Sequence, residues 1–267
     1  TGGMLNDPVA VKLAEDRFWI SIADSDLLLW VKAVALGYRL DVLVDEPDVS
    51  PLAIQGPQAD ALMARVFGDE IRAVRFFRFG LFNFEGRMLP IARSGYSKQG
   101  GYEIYVEGGD IGMPLWDALF KAGEDLQVRA GCPNLIERIE GGLLSYGNDM
   151  TRDNTPHEAG LGKFCNTTSA IGCIGRDALL RVAKEGPVQQ IRALAIEGDI
   201  APCDRPWPLL AGGKKVGQVT SAARSPDYGT NVAIGMVRMT HWDPGTAVEV
   251  ETPDGMRRAV VQEKFWI

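Results

Sequence analysis

Arg93-Ser94-Gly95-Tyr96-Ser97-Lys98-Gln99-Gly100-Gly101-Tyr102-Glu103-Ile104-Tyr105 joins two stretches that read as strands, Met88 to Arg93 and Tyr102 to Val106. Working outward, Gly80 to Phe84 reads as the hairpin partner of Met88 to Arg93, turning at Glu85-Gly86. Leu52 to Gln55 reads as a further strand. Gln58 to Phe67, opened by Gly56-Pro57, and Ile111 to Ala122 read as helices. Val128-Arg129-Ala130 would close the unit as a last strand. The order is close to the β-α-β-β-α-β of ferredoxin-like domains, with one strand in excess.

On the N-terminal side, Pro8 to Ala14 and Phe18 to Ala23 read as strands joined by the polar turn Glu15-Asp16-Arg17. Asp24-Ser25-Asp26 offers N-cap chemistry to a helix over Leu27 to Leu36, which Gly37 would end. Leu40 to Val44 reads as a strand, and the acidic Asp45 to Pro51 as a linker. On the C-terminal side, Asn134 to Leu144 is predicted helical, ending near Gly147. Past Gln190 the helical period is lost. Ile191 to Ile196, Lys214 to Ser221, Asn231 to Val237, Ala247 to Glu251 and Arg257 to Gln262 read as short strands of a small antiparallel barrel or sandwich. The fold class is α+β.

Composition narrows the functions. The chain has 267 residues, 46% hydrophobic and 24% charged, enough for more than one core. Its net charge of −7 argues against a nucleic-acid surface built on phosphate contacts. No run approaches the roughly 18–20 apolar residues of a membrane span, and Lys32 interrupts Leu27 to Leu36. Arg72 to Arg78 sets three arginines among aromatics and reads as a half-exposed connection. Cys132, Cys165, Cys173 and Cys203 show no paired spacing, and His157 and His241 flank no metal motif, so no metal site is expected. Reduced thiols in a cytoplasmic protein are the default, and Cys173 reads as a small buried hydrophobe.

Four segments are more specific than composition requires. They are Gly2-Gly3-Met4-Leu5-Asn6-Asp7, the Arg93-Tyr96 and Gly101-Tyr105 ends of the opening stretch, Arg138-Ile139-Glu140-Gly141-Gly142, and Tyr146-Gly147-Asn148-Asp149-Met150. Pro156 to Gly162, Gly175 to Leu179, Val219-Thr220-Ser221 with Ser225-Pro226, and Asn231 to Gly235 follow in order. Taken in this order, the set resembles the glycine-cleavage T-protein superfamily over the whole chain. The resemblance implies a cloverleaf of three domains around a hole where folate stands. Residues 1–48 plus 131–189 would be the remainder of folate-binding domain 1, 49–130 the ferredoxin-like domain 2, and 190–267 the C-terminal barrel. It also implies that the family's first domain begins upstream of Thr1.

The same resemblance assigns Glu103 to the pterin. A carboxylate accepts two parallel N–H donors in one bidentate pairing, and a strand end fixes it in place. The plain alternative is an edge-strand glutamate between Tyr102 and Ile104. Tyr96 matches an aromatic-rich folate contact, worth about 0.5–1.5 kcal/mol beyond burial if its ring packs on the ligand. Asp7 matches the second acidic position of the family's GG-x-x-D-D motif and is the catalytic candidate. Asn6 stands at the first acidic position, and Asn134 where a folate-contacting arginine is expected four residues before Arg138. Both departures count against glycine-cleavage activity. Phe18 to Asp26, Glu46 to Pro51 and Leu144 to Gly147 are similar to the branch containing dimethylsulfoniopropionate demethylase and related folate-dependent demethylases.

What this implies is methyl transfer from a small donor, dimethylsulfoniopropionate first, to N5 of tetrahydrofolate. A sulfonium leaves as a neutral thioether and needs little acid–base help, so alignment and enclosure carry the rate. Asp7 would orient the substrate or balance its charge. An aromatic wall could hold the onium group, with Trp19 and Trp30 as contributors or as ordinary core residues. Two alternatives stand beside this. One is an aminomethyltransferase acting on a lipoylated carrier protein. The other is a non-catalytic folate-binding accessory protein, whose K-G-C-Y-x-G-Q-E signature Gly172 to Asp177 echoes only loosely.

Overall fold

The computed structural model describes residues 1–22, 27–169 and 171–267. The predicted cap at Asp24-Ser25-Asp26 lies outside the described residues. The chain divides into two compact units, Val9–Pro133 and Thr1–Pro8 with Asn134–Ile267.

In the Val9–Pro133 unit, strands β1 (Val9–Lys12) and β2 (Phe18–Ser21) form the predicted antiparallel hairpin, with Val11 opposite Trp19. Helix α1 follows over Leu27–Gly37. It is apolar apart from Lys32, and Ala35 is its one buried residue. Next come β3 (Val49–Gln55), α2 (Ala59–Phe67), β4 (Phe79–Phe84), β5 (Arg87–Ala92), β6 (Gly101–Glu107) and α3 (Gly112–Ala122). The four strands make an antiparallel sheet in the order β3-β6-β5-β4. Strand alternation divides β6 between two faces. Tyr102, Ile104 and Val106 pack with Leu62, Ile71, Leu115 and Leu119 under the two helices. Each fully buried aliphatic side chain there contributes about 1.5–3 kcal/mol. Glu103 and Tyr105 turn to the opposite face, where Tyr105 packs with Val11, Ala92 and Trp19.

Two predicted strands do not form. Val128–Ala130 joins no ladder, so the unit reads β-α-β-β-β-α. Val128 instead plugs the core beside Gly123 and Leu62. Leu40–Val44 is also unpaired, with Leu43 89% exposed. Apolar composition supplied the signal in both places, and no neighbouring edge accepts them.

Gly101 opens β6 at φ +145, and a Cβ there would overlap the Ile54 carbonyl oxygen. Gly101→Ala is therefore expected to cost about 2 kcal/mol, from backbone strain and the clash together. Chemical denaturation of the variant checks this, and a loss within error of zero would contradict it.

In the second unit, α4 (Leu135–Glu140) is shorter than predicted because Gly141 and Gly142 end it, the latter at φ +63. Helix α5 (Arg176–Glu185) was not read from the sequence. Six strands follow: β7 (Gln189–Ile196), β8 (Trp207–Ala211), β9 (Lys214–Ser225), β10 (Thr230–Arg238), β11 (Ala247–Thr252) and β12 (Gly255–Val261). They close into a barrel in the order β10-β7-β12-β11-β8-β9, with β9 pairing back onto β10. Leu194, Trp207, Leu209, Val219 and Val250 fill it, as an interior this narrow requires. Ile139 of α4 lies against Val232, Ile234 and Met236, so β10 is buried on both faces.

Candidate functional site

Of the predicted site residues, Glu103 and Tyr96 belong to the sheet unit, and Asn6, Asp7 and Asn134 to the barrel unit. In the sheet unit, Glu103 stands near the start of β6, opposite Ala53 of β3 and Ala92 of β5. Its carboxylate accepts a hydrogen bond from the Ser94 hydroxyl. Ser94 is buried and Glu103 half-buried. The loop that begins at Ser94 carries Tyr96, whose surface is 37% exposed.

A partly buried triad anchors both ends of that loop. Arg93 donates to the Tyr102 hydroxyl at 2.6 Å, Tyr102 donates to Asp60 at 2.9 Å, and Arg93 pairs with Asp60 at 3.0 Å. Burial, and then its bond to Asp60, push the Tyr102 phenol up to about 12, so it remains a neutral donor. Burial works against the Asp60 charge, but the bonds from Tyr102 and Arg93 outweigh it and hold this carboxyl below its usual value. Gln55, at the end of β3, reaches across the loop. Its amide nitrogen contacts the carbonyls of Ser94 at 3.0 Å, Tyr102 at 3.2 Å and Ile54 at 3.2 Å, and its oxygen accepts from Ser97 at 2.8 Å. No motif marked Gln55. A lone glutamine carries no chemical class to find it by.

In the barrel unit, the segment holding Asn6 and Asp7 is tied down through Met4. The Met4 amide donates to Asn154 at 2.9 Å, and its carbonyl accepts from the Tyr146 hydroxyl at 2.8 Å. The Met4 side chain is buried with Met150 and Ala159. Asn6 accepts from the Asp7 amide at 2.9 Å. Asp7 keeps an exposed surface, yet burial around it raises its carboxyl above the usual value, against its own backbone N–H. Asn134 caps α4: its oxygen accepts from the amides of Ile136 at 2.9 Å and Glu137 at 3.4 Å.

The remaining motifs meet in one buried cluster. Arg138 pairs with Asp149 at 2.8 Å and donates to Ser221 at 2.7 Å, while Thr220 and Ser221 each donate to Asp149 at 2.7 Å. Arg138 and Ser221 also line a cleft of about 260 Å³ with Leu135, Asn148, Cys203 and Arg205. Burial pushes the Cys203 thiol up to about 11, which removes it as a nucleophile. Cys173, expected to be buried, is exposed. Among the described residues, no group of three or more His, Cys, Asp or Glu side chains is placed to hold a metal ion. Trp19 packs on Tyr105, with the Arg17 guanidinium 5.7 Å from its ring, and Trp30 is partly exposed on α1.

An antiparallel four-stranded sheet under two helices and a closed six-stranded barrel define the class. The chain belongs to the glycine cleavage T-protein family: residues 1–169 match the GCVT N-terminal domain and 190–266 the glycine cleavage T-protein C-terminal barrel domain. Within it, the chain is 64% identical to the dimethylsulfoniopropionate demethylase of Ruegeria pomeroyi, over 99% of this chain and 72% of that protein. It is 30% identical to an aminomethyltransferase of Bacillus subtilis, over 99% of this chain and 74% of that one. The crystal structure of the glycine cleavage system aminomethyltransferase T from Bartonella henselae superposes with a TM-score of 0.79 at 26% identity, covering 100% of this chain and 73% of that one. No described helix is long and apolar enough to cross a membrane.

Proposed function

We propose that this chain moves a methyl group from dimethylsulfoniopropionate to N5 of tetrahydrofolate. The observation that carries the choice of donor is the contrast in identity, 64% to the demethylase against 30% to the Bacillus subtilis aminomethyltransferase. Asn6 and Asn134, which depart from the glycine-cleavage pattern, support the same choice. The residues present fit a folate. A carboxylate half-buried at a strand and steadied by Ser94 suits a pair of pterin N–H donors. The bound folate supplies the nitrogen lone pair that accepts the methyl group. Glu103 holds the pterin and Tyr96 offers a ring face; Asn6 and Asn134 are assigned to folate by the resemblance alone. Asp7 balances the sulfonium charge and fixes its approach.

We propose the domains as 1–48 with 131–189, 49–130, and 190–267; the assigned residues fall in the first two. The cytoplasm is the proposed compartment, in keeping with four free cysteines. The donor is a small molecule, and the net charge of −7 favours no nucleic-acid partner.

Turnover with tetrahydrofolate and dimethylsulfoniopropionate, following 5-methyltetrahydrofolate by mass spectrometry, tests the reading. Product supports it. Absence of product, together with aminomethyl transfer from a lipoylated carrier protein, would replace it with the aminomethyltransferase reading. Binding of tetrahydrofolate without either turnover would favour an accessory protein.

Asp7 sets the expected pH dependence. Burial raises its carboxyl, so acidification removes its charge at a higher pH than for an ordinary aspartate. kcat/KM should therefore fall as pH drops through that raised value. Asp7→Asn should be about ten- to a hundred-fold slower, the worth of one charge-assisted contact, and should lose the acid limb. An acid limb unchanged in the variant would remove Asp7 from this role.

A further inference from the structure

We infer that Gln55 is the positioning residue of the folate site, the side chain that sets where Glu103 and Tyr96 stand; this rests on the folate reading above. Both residues depend on the loop from Ser94 to Gly101. Ser94 orients the Glu103 carboxylate and begins the loop, and Tyr96 rides on it. Gln55 closes that loop from the neighbouring strand with one amide group.

The chemistry explains why the group is an amide. Its nitrogen has two hydrogens and faces three carbonyl oxygens, of Ser94, Tyr102 and Ile54, at 3.0–3.2 Å. Its oxygen takes the Ser97 hydroxyl at 2.8 Å, and Ser97 in turn accepts from the Gln99 amide at 3.2 Å. Only one orientation of the amide works, because the opposite one would set its oxygen against three carbonyls. Glutamate has the same shape and no donor. Gly95 shows how closely the parts fit, since a Cβ at that position would overlap the Gln55 amide. A second tie lies beside it: the Gly56 amide donates to Gly100 at 3.1 Å. Gln55 therefore binds the entry of the loop at Ser94, its middle at Ser97 and its exit at Tyr102. It stands one strand away from Glu103 and touches neither Glu103 nor Tyr96 in any of these bonds. Its influence on ligand would pass through the backbone it holds.

Three single variants and one double variant test this on the full chain, with tetrahydrofolate as the probe and binding followed calorimetrically. Gln55→Met keeps the length of the side chain and removes both donor and acceptor. Gln55→Glu keeps the shape and sets a carboxylate against three carbonyls. We expect Gln55→Met to weaken binding about ten-fold, and Gln55→Glu more, with amide hydrogen exchange quickened from Ser97 to Gly101 and unchanged in β4 and α3. Because Gln55 acts through Glu103 as well as Tyr96, the loss in Gln55→Met combined with Glu103→Gln should be smaller than the product of the two single losses. A purely structural residue would give losses that multiply and exchange that quickens throughout the sheet, and either result overturns the inference while leaving the folate reading intact. Parent-like binding by Gln55→Met overturns it in the same way. Parent-like binding by Glu103→Gln instead brings down the folate reading, and this inference falls with it.

Discussion

Asp149→Ala is expected to remove about 3–5 kcal/mol of folding stability, because it leaves Arg138 charged, buried and unpaired. The Asp149 side chain is fully buried and that of Arg138 is 9% exposed. Asp149 also accepts from Thr220, Ser221 and the Ser145 amide, so one substitution takes the acceptor away from four donors. The ion pair itself contributes far less than its loss costs, since both partners gave up their hydration to form it. The double variant Arg138→Met with Asp149→Leu should therefore recover much of the deficit. Urea unfolding of the parent and both variants separates the two quantities. A single-variant loss below about 1 kcal/mol would mean that water enters the cluster and that the pair is effectively a surface one.

Glu103→Ala is expected to leave the fold intact and reduce tetrahydrofolate affinity by about a hundred-fold or more. The side chain is half-buried and accepts from the Ser94 hydroxyl, so folding loses little. The ligand would lose two hydrogen bonds to a charged acceptor, each worth about 1.5–3 kcal/mol, and about 1.4 kcal/mol corresponds to ten-fold in affinity. Glu103→Gln should do nearly as much harm, because one of its two oxygens becomes an N–H donor facing the pterin's own donors. Fluorescence or calorimetric titration checks both variants. Unchanged affinity in either would mean that Glu103 is the ordinary strand glutamate its sequence neighbours allow.

The sequence displayed the strands better than the ties between them. Val248, Val250 and Thr252 alternate with Glu249 and Glu251, so β11 could be read without a structure. Trp207-Pro208-Leu209-Leu210-Ala211 does not alternate and contains a proline, and β8 was missed. Helix α5 buries no residue and begins at Gly175 in the left-handed region with no side-chain cap, although Asp177 in its first turn, Lys184 in its last and Gly186 beyond it are helix signals that the sequence carries. Leu40–Val44 had the composition of a strand, but a strand needs a free edge beside it. The candidate site divides in the same way. Glu103 and Asp7 were legible because they sit inside recognisable segments. Gln55 was not, because its bonds to Ser94 and Tyr102 cross 39 and 47 residues, and no local pattern records so distant a contact. Several of the motifs that carried the resemblance are there to hold the barrel unit together. Arg138, Asp149 and Ser221 come from three of them and meet in one cluster.

The Met4–Tyr146 bond also imposes an order in time. Its two partners are 142 residues apart, and the segment bearing Asp7 belongs with Asn134–Ile267 although it is made long before it. At about 5–20 residues per second, the ribosome delivers Tyr146 roughly 7–30 s after Met4. The Val9–Pro133 unit emerges complete within that interval and can fold first. The Gly2–Asp7 segment must wait, and the catalytic candidate takes its place only when the later half of the chain arrives to receive it.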